Sequence, residues 1–279
     1  MSLQPTAELG RLRDQIELWR ARGERIGLIP TMGNLHAGHL ALVERLKRSC
    51  ARLVVSIFVN PTQFAPGEDF ETYPRTLDDD LTALERVGAD MVWAPSVEVM
   101  YPLDEAFLIR VPDCLSNTLC GKDRPGHFNG VASVVLRLFL QVRPDAAAFG
   151  EKDFQQLLII RQLVADYALG IEIEALPTVR EPDGLAMSSR NRYLDAEERR
   201  QAGRLHQVLV RTAERVEAGE AWPALQAEAI ASLQSAGFQP QYFERRSATS
   251  LRIPEKGESQ RLFAAAYLGQ ARLIDNVSV

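Results

Sequence analysis

Two histidines three residues apart, His36 and His39, stand among the glycines Gly33 and Gly38 in the stretch "PTMGNLHAGHL". At that spacing two side chains share one face of a helical turn, so both imidazoles can donate to a single polyphosphate. The glycines let backbone approach a ligand closely, and a helix N-terminus adds orphan N–H groups and the positive end of the helix dipole. Two of the chain's four histidines fall in this one turn, which favours an anion site over a pair of caps. A zinc site on His36 and His39 would need third and fourth ligands that the neighbouring sequence does not supply.

Two further clusters carry similar chemistry. In "FGEKDFQQL", Lys152 is a mobile point charge suited to phosphate, Asp153 an acceptor for ribose or a cation, and Gln155 and Gln156 neutral two-way hydrogen bonders. In "DGLAMSSRN", Ser188, Ser189 and Arg190 follow a Pro-Asp-Gly turn and form a flexible phosphate clamp able to order when substrate arrives. "FVNPTQF" and "RPGHFNGV" add Asn60, Gln63 and His127, while the acidic run "LDDDL" offers Asp79 and Asp80 as metal ligands or as a solvated helix face. Asn60 and Gln63 follow the end of a strand and are expected at the ligand edge. The chain contains no G-x-x-x-x-G-K-[ST], G-x-S-x-G or H-E-x-x-H pattern, which lowers the standing of P-loop, serine-hydrolase and zincin chemistry.

These residues need elements to hold them. Apolar β-rich runs at Ile26–Pro30, Leu53–Val59, Met91–Ala94, Ala146–Phe149 and Ile171–Val179 alternate with helical periods at Leu40–Arg48, Leu77–Val87 and Phe154–Tyr167. Such alternation predicts an α/β fold, a Rossmann-like doubly wound parallel sheet whose ligand crevice lies beyond the carboxyl ends of the strands. After residue 178 the pattern changes to two helices, Asp195–Gly219 and Trp222–Gly237, then short strands at Gln241–Arg245, Arg261–Leu268 and Ala271–Ile274. The expected domains are 1–178, binding nucleotide and substrate, and 179–279, a smaller C-terminal α+β lid domain.

Composition bounds the rest. With 279 residues, 46% hydrophobic and a net charge of −5, the chain can bury a real core and has little to offer nucleic acid or an anionic membrane. An odd count of three cysteines and no secretion signal point to a reducing cytoplasmic home. No apolar run reaches the roughly 18 residues that would span a bilayer.

Taken together and in order, "PTMGNLHAGH", "SIFVNPTQF", "YPRTLDDDL", "RPGHFNGV", "FGEKDFQQL", "DGLAMSSRN" and "LGQARLIDN" resemble the pantothenate synthetase, or pantoate–β-alanine ligase, family of the HxGH nucleotidyltransferase superfamily. The resemblance implies ATP-dependent condensation of (R)-pantoate with β-alanine through a pantoyl adenylate, releasing pyrophosphate and AMP. Carried over position by position, it implies ATP contacts at Met32, Gly33, Asn34, Leu35, His36, Ala37, Gly38 and His39, and again at Gly150, Glu151, Lys152 and Asp153. Val179, Met187, Ser188, Ser189 and Arg190 complete that set. His39 and Lys152 are the expected catalytic groups, and Gln63 and Gln156 the expected pantoate contacts, with Gln63 also meeting β-alanine. The resemblance further implies Mg²⁺ with ATP, its protein ligands unassigned, and a homodimer. A relative acting on a phosphate ester would want extra cations where this chain has Asn60, Gln63 and Gln156. A non-catalytic nucleotide or RNA binder would be expected to lack His39, Lys152 or the Ser-Ser-Arg loop, and all three are present.

Overall fold

The computed structural model describes residues 3–279 apart from 66, 69 and 104. Two compact units emerge: Met1–Val111, Arg124–Glu151 and Gln156–Pro177 form the first, and Pro112–Asp123, Lys152–Gln155 and Thr178–Val279 the second. The expected division near residue 178 left Pro112–Asp123 and Lys152–Gln155 with the first domain. The Gln155 amide joins the two segments, donating to the carbonyls of Leu115 and Thr118 at 2.8 Å each and accepting from the Cys120 N–H at 3.1 Å, and Asn276 Nδ2 on the Lys152 carbonyl at 3.0 Å and the Tyr242 hydroxyl 3.0 Å from Cys120 Sγ tie them to the rest of the second unit.

In the first unit the described residues form β1 (Pro5–Thr6), α1 (Leu9–Ala21), β2 (Ile26–Thr31), α2 (Ala37–Leu46), β3 (Arg52–Ile57), α3 (Leu77–Val87), β4 (Met91–Trp93) and α4 (Val97–Met100). The short helices α5 (Asp113–Ser116) and α6 (Leu119–Asp123) belong to the second unit, and the chain then runs through α7 (His127–Val142), β5 (Ala146–Gly150), α8 (Phe154–Asp166) and β6 (Glu172–Leu176). The six strands make one sheet in the order β1-β4-β3-β2-β5-β6, every pairing parallel. This is the doubly wound α/β architecture expected from the alternating pattern. Helix α1 and strand β1 were not among the expected elements, although Leu12, Ile16 and Trp19, the buried face of α1, carry the i, i+4, i+7 spacing of an amphipathic helix.

β2 lies at the centre, and Ile26, Leu28 and Ile29 are fully buried, as expected of a strand covered on both faces. The chain leaves β2 toward β3 and β4, then returns to the other side for β5 and β6, so the topological switch point falls between β2 and β5. The sheet opens there. Pairing of β2 with β3 continues to Thr31↔Ile57 and of β5 with β6 to Gly150↔Leu176, but β2 and β5 pair only at Gly27↔Ala146 and Leu28↔Ala147. Pro30 contributes to the opening. The Thr31 carbonyl accepts from Phe58 on the β3 side, so strand alternation turns Pro30, which has no N–H, toward β5.

In the second unit, α9 (Ala196–Ala202), α10 (Arg204–Glu217) and α11 (Trp222–Ser235) accompany the antiparallel sheet β7 (Gln239–Ser247), β8 (Gln260–Leu268) and β9 (Ala271–Ser278). Leu205, Leu209, Leu233, Phe243 and Leu262 are the heart of its core. The single helix expected over Asp195–Gly219 divides at Gly203, where the backbone runs so close to Asp183 that a Cβ would stand 2.7 Å from its carbonyl oxygen.

Candidate active site

The turn after β2 is tied down almost atom by atom. Thr31 Oγ1 donates to the Ser56 carbonyl at 2.7 Å and accepts from the Gly33 N–H at 3.2 Å. Asp80, 3% exposed, accepts from the N–H groups of Asn34 at 2.9 Å and Leu35 at 2.8 Å and from the Thr76 hydroxyl at 3.3 Å. Gly33 and Asn34 are both left-handed, with φ of 79° and 52°, conformations that glycine and asparagine tolerate best. Both Asp80 oxygens are therefore spent on positioning the turn, which makes the residue neither a solvated helix face nor a free metal ligand. Asp79 beside it is exposed.

His36 caps α2 and His39 lies in its first turn. His36 Nδ1 accepts from the Gly38 N–H at 3.1 Å, and His39 Nδ1 accepts from the His36 N–H at 3.3 Å. The rings lie 4.1 Å apart between centroids. A backbone N–H can only donate, so both Nδ1 atoms are lone-pair acceptors and each neutral ring carries its proton on Nε2. The Gly38 amide is consumed by the cap, and the His39 amide is bonded to the His36 carbonyl. The cap thus holds both rings in one tautomer, with the Nε2–H of each directed away from the capping bonds.

Gln63 ends a 3-10 turn, Pro61–Gln63. Its side-chain amide donates to Met32 Sδ at 2.9 Å and accepts from Asn60 Nδ2 at 3.2 Å, joining it to the β2 turn. Asn60 is 1% exposed and fully committed: it donates also to the Gly130 carbonyl at 3.2 Å and accepts from the Tyr101 hydroxyl at 2.7 Å and the Thr62 hydroxyl at 3.0 Å. Rather than facing ligand, as its place after a strand end suggests, it is the post on which Gln63 hangs. His127 Nδ1 donates to the Gln63 carbonyl at 2.7 Å, and Arg124, bidentate on Glu68 at 2.7 and 2.6 Å, meets His127 Nε2 at 3.0 Å. Burial pushes the Glu68 carboxyl up, but Arg124, the Ala65 N–H and His127 together outweigh it and hold the group below its ordinary value.

On the far side of the opening, β5 delivers Gly150 and Glu151, and Gln156 follows in the first turn of α8. The half-buried Gln156 amide has no hydrogen-bond partner among the described residues. Its neighbour Gln155 is structural, as its bonds to Leu115, Thr118 and Cys120 show. Met32–His39, Gln63, Gly150, Glu151 and Gln156 thus belong to the first unit.

Lys152 and Asp153 open the next segment and belong to the second unit. The Lys152 ammonium stands 3.6 Å from Asp153 Oδ2, too long for a hydrogen bond. Val179 and Met187 face each other across a short hairpin: Met187 N–H donates to the Val179 carbonyl at 2.9 Å, Arg180 bridges Ala186, and Gly184 N–H closes the turn on Glu181 at 2.9 Å. Ser188 then caps a 3-10 turn, Ser189–Tyr193, by accepting from the Arg190 N–H at 3.3 Å, and Asn191 Nδ2 donates to the Ala186 carbonyl at 3.1 Å. The segment expected to be a flexible clamp is a hydrogen-bonded hairpin and cap.

A parallel sheet split at its switch point, with the His36-Ala37-Gly38-His39 turn opening the helix that follows the strand bordering the split, defines a Rossmann-like α/β protein carrying an H-x-G-H pattern. Residues 5–278 match the family model described as pantoate-beta-alanine ligase, and the chain belongs to that family. It is 53% identical to the pantothenate synthetase of Halorhodospira halophila, covering 99% of this chain and 98% of that one. The crystal structure of pantothenate synthetase from Thermus thermophilus superposes with a TM-score of 0.92 at 41% identity, over 99% of each chain. The pantoate-beta-alanine ligase of Francisella tularensis, complexed with beta-gamma ATP and beta-alanine, gives 0.83 at 32% identity, over 99% of this chain and 97% of that one.

Proposed function

We propose that this chain condenses (R)-pantoate with β-alanine at the expense of ATP, using the residues assembled above. In the first half-reaction a pantoate carboxylate oxygen attacks the α-phosphorus, the bond to the bridging oxygen of pyrophosphate breaks, and pantoyl adenylate forms. In the second, the β-alanine nitrogen attacks the acyl carbon, AMP departs with the carboxyl oxygen that joined it, and the nitrogen sheds its proton to give pantothenate. Negative charge grows on the α-phosphate and the departing pyrophosphate, which fixed donors stabilise without reorganisation.

The observation that carries this reading is the tautomer lock: with both Nδ1 atoms tied to backbone, His36 and His39 offer paired Nε2–H donors, His39 acting on the phosphates. Lys152 supplies the mobile cation to the same charge. Met32–His39, Gly150, Glu151, Lys152, Asp153, Val179 and Met187–Arg190 form the ATP set. Gln63 and Gln156 bind pantoate, whose hydroxyls and carboxylate match neutral amides, and Gln63 also meets β-alanine.

Magnesium enters with ATP. No group of three His, Cys, Asp or Glu able to cage a metal occurs among the described residues, and a Mg²⁺ held by phosphates and water needs no such cage. The dimer reading draws support from the first unit, where Leu103, Phe107 and Leu108 are exposed and Phe107 is 89% open, apolar surface of the kind a second copy would cover. The cytoplasmic reading rests on free thiols at Cys50, Cys114 and Cys120. No helix among the described residues is long and apolar enough to cross a membrane.

The deciding experiment is exchange of labelled pyrophosphate into ATP. With ATP, Mg²⁺ and pantoate alone the enzyme should catalyse it, because adenylation is reversible while the adenylate stays bound. A strict requirement for β-alanine would overturn the two-step reading.

A further inference from the structure

The strand β9 carries two adjacent buried polar residues, Asp275 and Asn276, that the reaction itself does not call on. Asp275 accepts from both terminal nitrogens of Arg180, at 2.7 and 2.9 Å, and from the Asn276 N–H at 2.8 Å, and it lies 3.3 Å from His206 Nδ1. Arg180 reaches back to its own hairpin, donating to the Gly184 carbonyl at 3.0 Å. His206 packs beneath Gly184 so closely that a Cβ there would stand 2.7 Å from the ring, and the φ of 90° requires glycine in any case. Asn276 Nδ2 donates to the backbone carbonyl of Lys152 at 3.0 Å. One dipeptide therefore grips two chain segments far apart in sequence: the residue that bears the mobile cation, and the hairpin that leads into Ser188–Arg190. All of these groups lie in the second unit.

We propose that Asp275 and Asn276 are positioning residues that hold Lys152 and the Val179–Met187 hairpin in one rigid frame, so that the cation and the Ser188–Arg190 turn that the hairpin leads into present to the nucleotide phosphates together. The inference rests on the assignment of Lys152 and the hairpin to ATP. Its physical basis is that a buried, bidentate arginine–carboxylate pair with its remaining lone pairs filled fixes geometry as well as charge. A catalytic cation on a flexible stem is useful only if its backbone is held. Core packing alone would not need these partners. β9 is already paired with β8 along its whole length, and apolar residues at 275 and 276 would satisfy a core more cheaply.

The test separates the half-reactions in the full-length enzyme. Asn276→Ala and Arg180→Lys are compared with wild type and with Lys152→Ala in pyrophosphate exchange, and in pantothenate formation from chemically made pantoyl adenylate and β-alanine. Removal of one positioning bond should slow exchange by about tenfold or more and raise the KM for ATP. The aminolysis of preformed adenylate should stay within about twofold. Arg180→Lys keeps a positive charge beside Asp275, so it reports on geometry even if Asn276→Ala proves poorly folded by circular dichroism. Equal losses in both half-reactions, or unchanged exchange in well-folded variants, would overturn the positioning role. If Lys152→Ala itself exchanges normally, the ATP assignment fails rather than the frame.

Discussion

His39 has two nitrogens with separable tasks, one closing a cap and the other donating to phosphate. Asparagine places an acceptor where Nδ1 stands but has nothing at Nε2. His39→Asn should thus keep the bond to the His36 N–H and fold within about 1 kcal/mol of wild type. It should nonetheless lose about 10²-fold or more in pyrophosphate exchange, the usual cost of removing one preorganised donor. Chemical denaturation and exchange on the same sample would check both halves. A variant that folds and exchanges normally would remove His39 from the chemistry. Asp80 belongs to the same scale. "LDDDL" reads as an acidic run, and nothing in it marks the third aspartate as the one that meets Asn34 and Leu35, since that depends on how α3 packs beside the β2 turn.

Among elements, α7 presses on the 3-10 turn that carries Gln63. A Cβ on Gly130 would stand 2.2 Å from the Thr62 carbonyl oxygen and 2.8 Å from the Gln63 nitrogen, and neither backbone atom can rotate aside. Gly130→Ala should displace Gln63, raise the KM for pantoate by about tenfold, and destabilise by roughly 1–3 kcal/mol through overpacking. Gly10 in α1 is the contrast: its Cβ would meet nothing within 4 Å, so Gly10→Ala should be neutral or stabilise by about 0.5–1 kcal/mol with activity unchanged. The hairpin at Val179–Met187 also makes a prediction. Its Gly184 and Met187 amides are bonded within the hairpin, so hydrogen exchange should find them protected before ATP is added; exchange at the open-chain rate would contradict the hairpin.

At the scale of the whole molecule, acid should act through Asp275. Burial pushes its carboxyl up, but His206, Arg180 and the Asn276 N–H outweigh that, leaving it below the ordinary value. The unfolded chain then takes up a proton at higher pH than the folded chain. The stabilisation is complete above roughly pH 5 and drains away as pH falls through the ordinary carboxylate range toward the lower folded-state value. Asp275→Asn should cost about 3–5 kcal/mol near neutrality, because it strands Arg180, and should flatten this part of the acid limb. Stability measured from pH 3 to 7 would show it, and an unchanged slope would remove Asp275 from the linkage. Assembly is tested by Phe107→Glu. Sedimentation should give twice 31.1 kDa for wild type and a single copy for the variant; the same mass for both would place the dimer contact elsewhere.

Much of this protein is written along the chain. The central strands and their flanking helices follow from runs such as "IGLIPT" and from glycine and proline punctuation, because local hydrophobic period and turn chemistry suffice to define them. The histidine turn could be placed where a strand gives way to a helix from residue type and spacing alone. Tertiary structure decided what those groups are free to do. It took Asn60 and Gln155 out of the set facing substrate by filling every bond they make. It turned the "DGLAMSSRN" clamp into a hairpin gripped by Arg180. It also brought Asn276 to the carbonyl of Lys152, 124 positions away. A hydrogen-bond inventory is legible in one residue, but which partners fill it depends on strands and helices that meet only when the chain is folded.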